Sequence, residues 1–394
     1  MYDWKWQKRR LKMKVLFENC KIYNSVEKDF YRGSLCVADG LISYVGADDG
    51  IKIESGTAVD LCGAYLVPGF IDAHTHGRAG GDFVTADEKL LSHMIDSYVE
   101  SGVTGIMATL ASATLDELYS AIERIRALDG ANARAVLGIH LEGRYLNPRY
   151  RGAHAERLLS GLDCAELAEI ISKMKNVGHA HVSAALELDG NGEFTKTAVN
   201  MGATVGIGHT AATYDEAMTA FSMGAGSLTH TFNAMPPLHH RGGGVIAAGM
   251  NNDAVFCELI ADGFHVSPEM VKLLYRVKGD RVVLISDSME ATGCADGEYS
   301  IAGLPVTVKD GKARTHEGAI AGSTLSLIDG VKNLASFAEI PFEKAIYNAT
   351  AAPAKMLGLY NSIGSLDVGK RANMLVLDKN FDVVQVILDG ESIK

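Results

Sequence analysis

The chain has 394 residues, too long for one ordinary domain but suited to a barrel of roughly 250 residues with a smaller companion. Hydrophobic residues make up 47% and charged residues 22%, the balance of a soluble globular protein with a substantial core. A net charge of -11 argues against a nucleic-acid surface, while leaving open a small substrate in a locally basic pocket.

The six cysteines (Cys20, Cys36, Cys62, Cys164, Cys257, Cys294) form no Cys-x-x-Cys pair, so reduced thiols and a cytoplasmic location are expected. The start, Met1 to Lys14, carries charge without an apolar run behind it and is expected to be a tail, neither a secretory signal nor a membrane span.

From Val15 to about Val67 the pattern is short and alternating, with Asp39-Gly40 between two apolar runs as a hairpin signal. The same texture returns in Ala372 to Asp378 and Val383 to Gly390. Neither end can bury a core alone, so residues 1–66 and 361–394 are expected to meet in one small β-sandwich domain.

Between them, over 67–360, strand-like runs alternate with helical segments, the signature of a parallel sheet. Eight runs can be counted: Val67 to Asp72, Thr104 to Thr109, Ala135 to His140, Val177 to Ala185, Ala203 to Ile207, Ser227 to Thr229, Val255 to Ile260 and Arg281 to Ile285. Amphipathic stretches such as Thr114 to Leu128, Asp163 to Met174 and Thr213 to Met223 fill the gaps. The number eight favours a (β/α)8 TIM barrel, an α/β fold, over an open sheet. The segment 297–322, with Asp310-Gly311 between apolar alternations, reads as a β-hairpin insert.

Polar residues collect where these runs stop, which in such a barrel is where chemistry is done. The first run leads into His74-Thr75-His76. Two histidines one residue apart project to the same side of an extended chain and can face one ion. Glu142 stands at the exit of the third run, where a buried carboxylate is costly unless paired or holding a metal. His209, His230 and Asp287 follow the fifth, sixth and eighth runs. A single such histidine is more often a satisfied core residue than a ligand; several donors at strand exits together are not expected by chance.

Several ordered motifs carry a resemblance. Pro68-Gly69-Phe70-Ile71-Asp72-Ala73-His74-Thr75-His76-Gly77 resembles the opening signature of the amidohydrolase superfamily. His140-Leu141-Glu142-Gly143, Gly152-Ala153-His154, Gly208-His209-Thr210, His230 to Met235, Asp262-Gly263-Phe264-His265, Ser286-Asp287 and Ala321-Gly322-Ser323 together resemble the N-acetylglucosamine-6-phosphate deacetylase family.

The resemblance implies that Glu142, His209 and His230 hold the principal divalent metal, with His74 and His76 available for a second. Zinc is the first choice of ion, with iron, cobalt and manganese as alternatives. It implies that Asp287 is the general base and acid, its other reading being an orienting carboxylate or a ligand. It also implies that Ala153, His154, Asn233, Ala234, Arg241, Asp262, His265, Ile320, Ala321 and Gly322 line a phosphorylated N-acetyl amino sugar. Arg241 would act as a phosphate clamp reaching the neighbouring active site of a homodimer, or else be a surface arginine on a flexible loop.

Two departures from the family pattern, Arg144 after Gly143 and a glycine-rich stretch after Arg241, leave the sugar open, N-acetylgalactosamine-6-phosphate included. A cyclic-amide amidohydrolase shares the barrel and the His-x-His but usually places a carboxylated lysine where this chain has Glu142. A non-catalytic binding protein would be expected to have lost a ligand or Asp287.

Overall fold

The computed structural model describes residues 14–47, 56–301 and 303–393. Of the expected N-terminal tail only Lys14 falls within them, and it opens a strand.

Eight parallel strands form the central sheet in sequential order. They are β1 (Phe70–Thr75), β2 (Val103–Leu110), β3 (Val136–Glu142), β4 (His179–Ala184), β5 (Thr204–Ile207), β6 (Ser227–Leu228), β7 (Phe256–Leu259) and β8 (Val282–Leu284). The ring joins just beyond β8, where the Asp287 N–H donates to the His74 carbonyl at 2.9 Å and the Ser286 N–H donates to Asp72 Oδ1 at 3.1 Å. The expected TIM-like barrel is therefore present.

Helices pack outside because their apolar residues recur every three or four positions. Leu115–Ala127 buries Leu118, Ala121, Ile122 and Ile125, and Thr114 and Glu117 close its first turn as a capping box. Thr213 and Glu216 do the same for Tyr214–Ser222, and Asp163 caps Cys164–Met174. The structure starts these helices one residue inside the amphipathic stretches, because the first polar residue of each is the cap.

Both termini enter one mixed sheet of eight strands. Lys14–Asn24, Asp29–Ala38, Leu41–Ala47, Thr57–Asp60 and Tyr65–Pro68 come from the N-terminal side, and Met374–Leu377, Val383–Leu388 and Glu391–Ser392 from the C-terminal side. Asp39 and Gly40 both adopt positive φ, 53° and 78°, as a tight hairpin turn requires.

One element differs from expectation. The run from Val67 to Asp72 is not a single barrel strand: Tyr65–Pro68 pairs with Met374–Leu377 in the terminal sheet, and β1 begins at Phe70. Gly69 is the crossing point between the two sheets. A Cβ there would lie 1.9 Å from Thr104 Oγ1, so only glycine fits this approach to β2. After β8, Gly297–Ile301, Leu304–Lys309 and Lys312–Thr315 form a three-stranded antiparallel insert.

Candidate metal centre

The strand exits bring six ligand-type side chains together in two groups, Glu142, His209 and His230, and His74, His76 and Asp287. Within each group the ligand atoms lie within 4.8 Å of one another. Glu142 stands between the groups. Its Oε1 is 3.3 Å from His209 Nε2 and 3.0 Å from His230 Nε2, and its Oε2 is 3.3 Å from His74 Nε2 and 2.9 Å from His76 Nε2. Asp287 Oδ1 faces His76 Nε2 at 3.2 Å and His74 Nε2 at 3.5 Å.

Local backbone geometry delivers these groups. His74 lies in β1 and His76 just beyond its end, so the strand period of two turns both to the same side. His209, His230 and Asp287 leave their strands in the left-handed region, at φ of 47°, 30° and 47°. Residues other than glycine rarely take up that region, and it aims each side chain back over the barrel mouth. Gly143 sits at φ 140°, where a Cβ would come within 2.3 Å of Ser112 Oγ, so the turn after Glu142 needs glycine.

The electrostatics follow from burial against close charge. Burial disfavours the charged form of His74 and His76, yet the Glu142 and Asp287 carboxylates outweigh it, raising His74 well above the usual range and His76 to about 9. For Glu142 and Asp287 burial acts upward and the neighbouring histidines act downward more strongly, so both are held ionised. Burial wins at His209, which falls to about 4 although Glu142 opposes it.

This donor set fits divalent cations. His209 Nε2 and His230 Nε2 lie 3.0 Å apart while both face one carboxylate oxygen, and His74 Nε2 and His76 Nε2 lie 3.3 Å apart in the same way. A single N–H can serve only one such contact, whereas lone pairs from every ring can converge on an ion. One carboxylate with two imidazoles in the first group also leaves coordination positions open, as a catalytic site needs.

Some of the remaining sequence-predicted residues touch this centre and others do not. His154 Nε2 is 3.7 Å from Glu142 Oε2, and its Nδ1 is bonded to Ser112 Oγ at 2.9 Å. Asn233 donates to the His230 carbonyl at 3.2 Å, and the Ala234 carbonyl accepts from Thr210 N–H at 3.1 Å. His265 Nδ1 pairs with Asp262 Oδ2 at 2.6 Å.

The stretch Ile320 to Gly322 abuts the catalytic-acid candidate: a Cβ on Gly322 would meet the Asp287 carbonyl at 3.2 Å, and Ser323 N–H donates to that carbonyl at 2.7 Å. Ala153 and Ala321 share one apolar cluster with Met289 and Ile301. Arg241, by contrast, is exposed and joins none of these contacts. Arg144 turns away to a paired contact with Glu166, Nε to Oε1 at 2.9 Å and Nη2 to Oε2 at 3.0 Å.

Sequence reasoning passed over the residues behind the ligands. His209 Nδ1 donates to the Tyr150 carbonyl at 2.8 Å, and His74 Nδ1 lies 3.2 Å from Glu258 Oε2. Glu258 had a legible signal, an acid in the middle of the apolar run Val255 to Ile260. The Tyr150 carbonyl had none, since any residue supplies one.

A parallel eight-stranded barrel with histidines and carboxylates gathered at its strand exits is the frame of the amidohydrolase class, and the amidohydrolase family pattern matches residues 65–393. An N-acetylglucosamine-6-phosphate deacetylase of Vibrio furnissii is 35% identical over 354 residues, 89% of this chain and 88% of that one. An N-acetylgalactosamine-6-phosphate deacetylase of Escherichia coli O157:H7 is also 35% identical, over 359 residues, 91% of this chain and 93% of that one. A mutant N-acetyl-D-glucosamine-6-phosphate deacetylase of Mycobacterium smegmatis, solved in complex with N-acetyl-D-glucosamine-6-phosphate, superposes with a TM-score of 0.87 at 30% identity, covering 97% of this chain and 99% of that one. The chain belongs to the N-acetylglucosamine-6-phosphate deacetylase family of the amidohydrolase superfamily.

Proposed function

We propose that this chain hydrolyses the acetamide of N-acetylglucosamine-6-phosphate to glucosamine-6-phosphate and acetate in amino-sugar catabolism. The observation that carries this reading is the convergence of two carboxylates and four imidazoles on one point at the barrel mouth, in a chain of this family.

Glu142, His209 and His230 would hold the principal ion, zinc as first choice, and His74 and His76 a second. When bound, a divalent cation supplies a Lewis acid that brings the pKa of water to about 7 and polarises a carbonyl oxygen. Asp287 Oδ1 takes the proton of the attacking water and delivers it to the amide nitrogen. The water oxygen bonds to the acetyl carbon as the C–N bond breaks, giving acetate and the free amine. The Asp287 carboxylate is suited to this because its neighbours keep it ionised.

His154 and His265 stand beside the acetyl group and sugar, with Ala153, Asn233, Ala234, Asp262 and Ile320 to Gly322 shaping the pocket. Arg241, exposed in a single chain, would clamp the phosphate in the neighbouring subunit of a homodimer, where a guanidinium offers paired donors. A cytoplasmic location is supported by six free cysteines and by the finding that no described helix is long and apolar enough to cross a membrane.

A second reading, N-acetylgalactosamine-6-phosphate as substrate, is favoured by one observation: the relative of that name is as similar as the N-acetylglucosamine-6-phosphate enzyme of Vibrio furnissii. Acetate release from the two phosphorylated sugars and their unphosphorylated forms decides. Faster turnover of N-acetylglucosamine-6-phosphate is expected; preference for the galacto epimer would transfer the assignment to it, and no release from either would remove it.

A further inference from the structure

One buried acid remains without a task in this scheme. Glu258 lies on β7 between Cys257 and Leu259 and is 0% exposed. A carboxylate in such surroundings is costly unless its bonds offset the loss of water. Its Oε2 takes two of them: His74 Nδ1 lies 3.2 Å away and the backbone N–H of His230 donates at 3.1 Å. Its Oε1 faces His181 Nε2 at 3.7 Å, and neither of these atoms has a hydrogen-bond partner.

The two residues held by Oε2 come from different ligand groups, His74 from the one with His76 and Asp287, His230 from the one with Glu142 and His209. A hydrogen on His74 Nδ1, bonded to Glu258, makes Nε2 the nitrogen that is turned toward Glu142 and Asp287 and offered to an ion. At His230 the acceptor secures a backbone held at φ 30°, a conformation that needs outside support. The other imidazoles are served differently. His209 Nδ1 uses a main-chain carbonyl, and His76 Nδ1 and His230 Nδ1 have no partner.

We propose that Glu258 is a positioning residue for the metal centre that supports both ligand groups through one oxygen, orienting the His74 ring and the His230 main chain together. The proposal rests on the reading of these groups as a cation site. Its test reads ion binding, without any substrate.

Zinc is titrated calorimetrically into metal-free wild type and into Glu258→Leu, Glu258→Asp and Glu258→Gln, each checked for folding by circular dichroism. Leucine removes the acceptor and aspartate withdraws it by one methylene. Both are expected to weaken every zinc-binding step of the wild type by about 10- to 100-fold. Glutamine keeps an oxygen for the same two hydrogens and is expected to stay within about threefold, because acceptor position rather than charge is what the ligands use.

In zinc-loaded wild type the nitrogen-15 signal of His74 Nδ1 is expected at the protonated position, a readout that needs no variant. Unchanged affinity in a folded leucine or aspartate variant, weakening of only one of two steps, or a bare His74 Nδ1 would each overturn the role of Glu258. Absence of zinc uptake by wild type would instead overturn the metal centre itself.

Discussion

Inside the barrel two sets of histidines lie one below the other, and their partners differ. At the mouth, His74, His76, His209 and His230 face the carboxylates of Glu142 and Asp287. Beneath, His140 bonds Thr109 Oγ1 at 3.1 Å and Ser183 Oγ at 2.8 Å, and His181 bonds Thr204 Oγ1 at 2.9 Å. The layers touch, with the rings of His74 and His140 4.5 Å apart and those of His140 and His181 4.8 Å apart.

Burial opposes charge at His74, His76 and His140 alike, so the partners decide. Carboxylates raise His74 and His76, whereas His140, with hydroxyl partners and the neighbouring positive field of His74, drops well below its usual range. His74 and His76 can exchange a proton for a cation, whereas His140 stays neutral, and it and His181 are spent on hydrogen bonds that knit the strands. One strand contains both roles, since His140 and Glu142 on β3 are two residues apart and point the same way, at different depths.

The strongest way to break this contrast is at Glu142, whose two oxygens touch four imidazoles. Glu142→Ala is expected to lose bound metal and to lower kcat/KM on the order of 10⁴-fold or more, read by elemental analysis and acetate release. Retention of metal there would remove Glu142 from the ligands. Asp287→Asn is expected to retain metal while turnover drops on the order of 10³-fold or more. Near-normal turnover would take Asp287 out of the chemistry.

Arg241→Ala sharpens the contrast from outside the cluster. It should raise KM for a phosphorylated sugar by about tenfold or more while hardly changing that for the unphosphorylated sugar. Equal effects would place the phosphate elsewhere. Arg144→Ala, which leaves the Glu166 carboxylate with the Tyr145 hydroxyl but without its charged partner, should cost on the order of 2 kcal/mol of stability in a denaturant melt with KM unchanged. A changed KM would bring Arg144 into the substrate pocket.

The smallest effect on activity is expected at His179 on β4, bonded to Thr204 Oγ1 at 2.9 Å and pushed down by burial, and then by His181 and Lys175, from 6.5 to about 4. Between those values the unfolded chain binds the proton and the folded chain does not. Folding stability should therefore fall as pH drops from about 6.5 to about 4, by on the order of 3 kcal/mol. His179→Gln should flatten that part of a pH series of thermal melts; an unchanged slope would assign it to other groups.

Much of this was legible in the sequence because it depends on local pattern. The eight apolar runs, the amphipathic stretches that begin at Thr114, Asp163 and Thr213, and the Asp39-Gly40 turn are each decided within a few positions, and their structural counterparts fall close to where periodicity puts them. The ligands were legible for a related reason: polar residues at the ends of buried runs are conspicuous.

What escaped depends on residues distant in the chain. The split of Val67 to Asp72 between two sheets is set by pairing with Met374–Leu377, some 300 residues away in the sequence. Glu258 acquires meaning only when His74, 184 positions earlier, arrives at its carboxylate. That Arg144 folds onto Glu166 rather than toward Glu142 likewise required the path of the intervening loop.

In the proposed reaction the carboxylates and imidazoles at the barrel mouth act through a divalent cation to hydrolyse the acetamide of a phosphorylated N-acetyl amino sugar, leaving the amine on the sugar. The direct measurement is acetate release from N-acetylglucosamine-6-phosphate by native, chelator-stripped and zinc-restored protein, with metal content determined on the same samples. Activity that vanishes on stripping and returns in proportion to zinc regained is the predicted result. Undiminished release from protein containing no metal would contradict it.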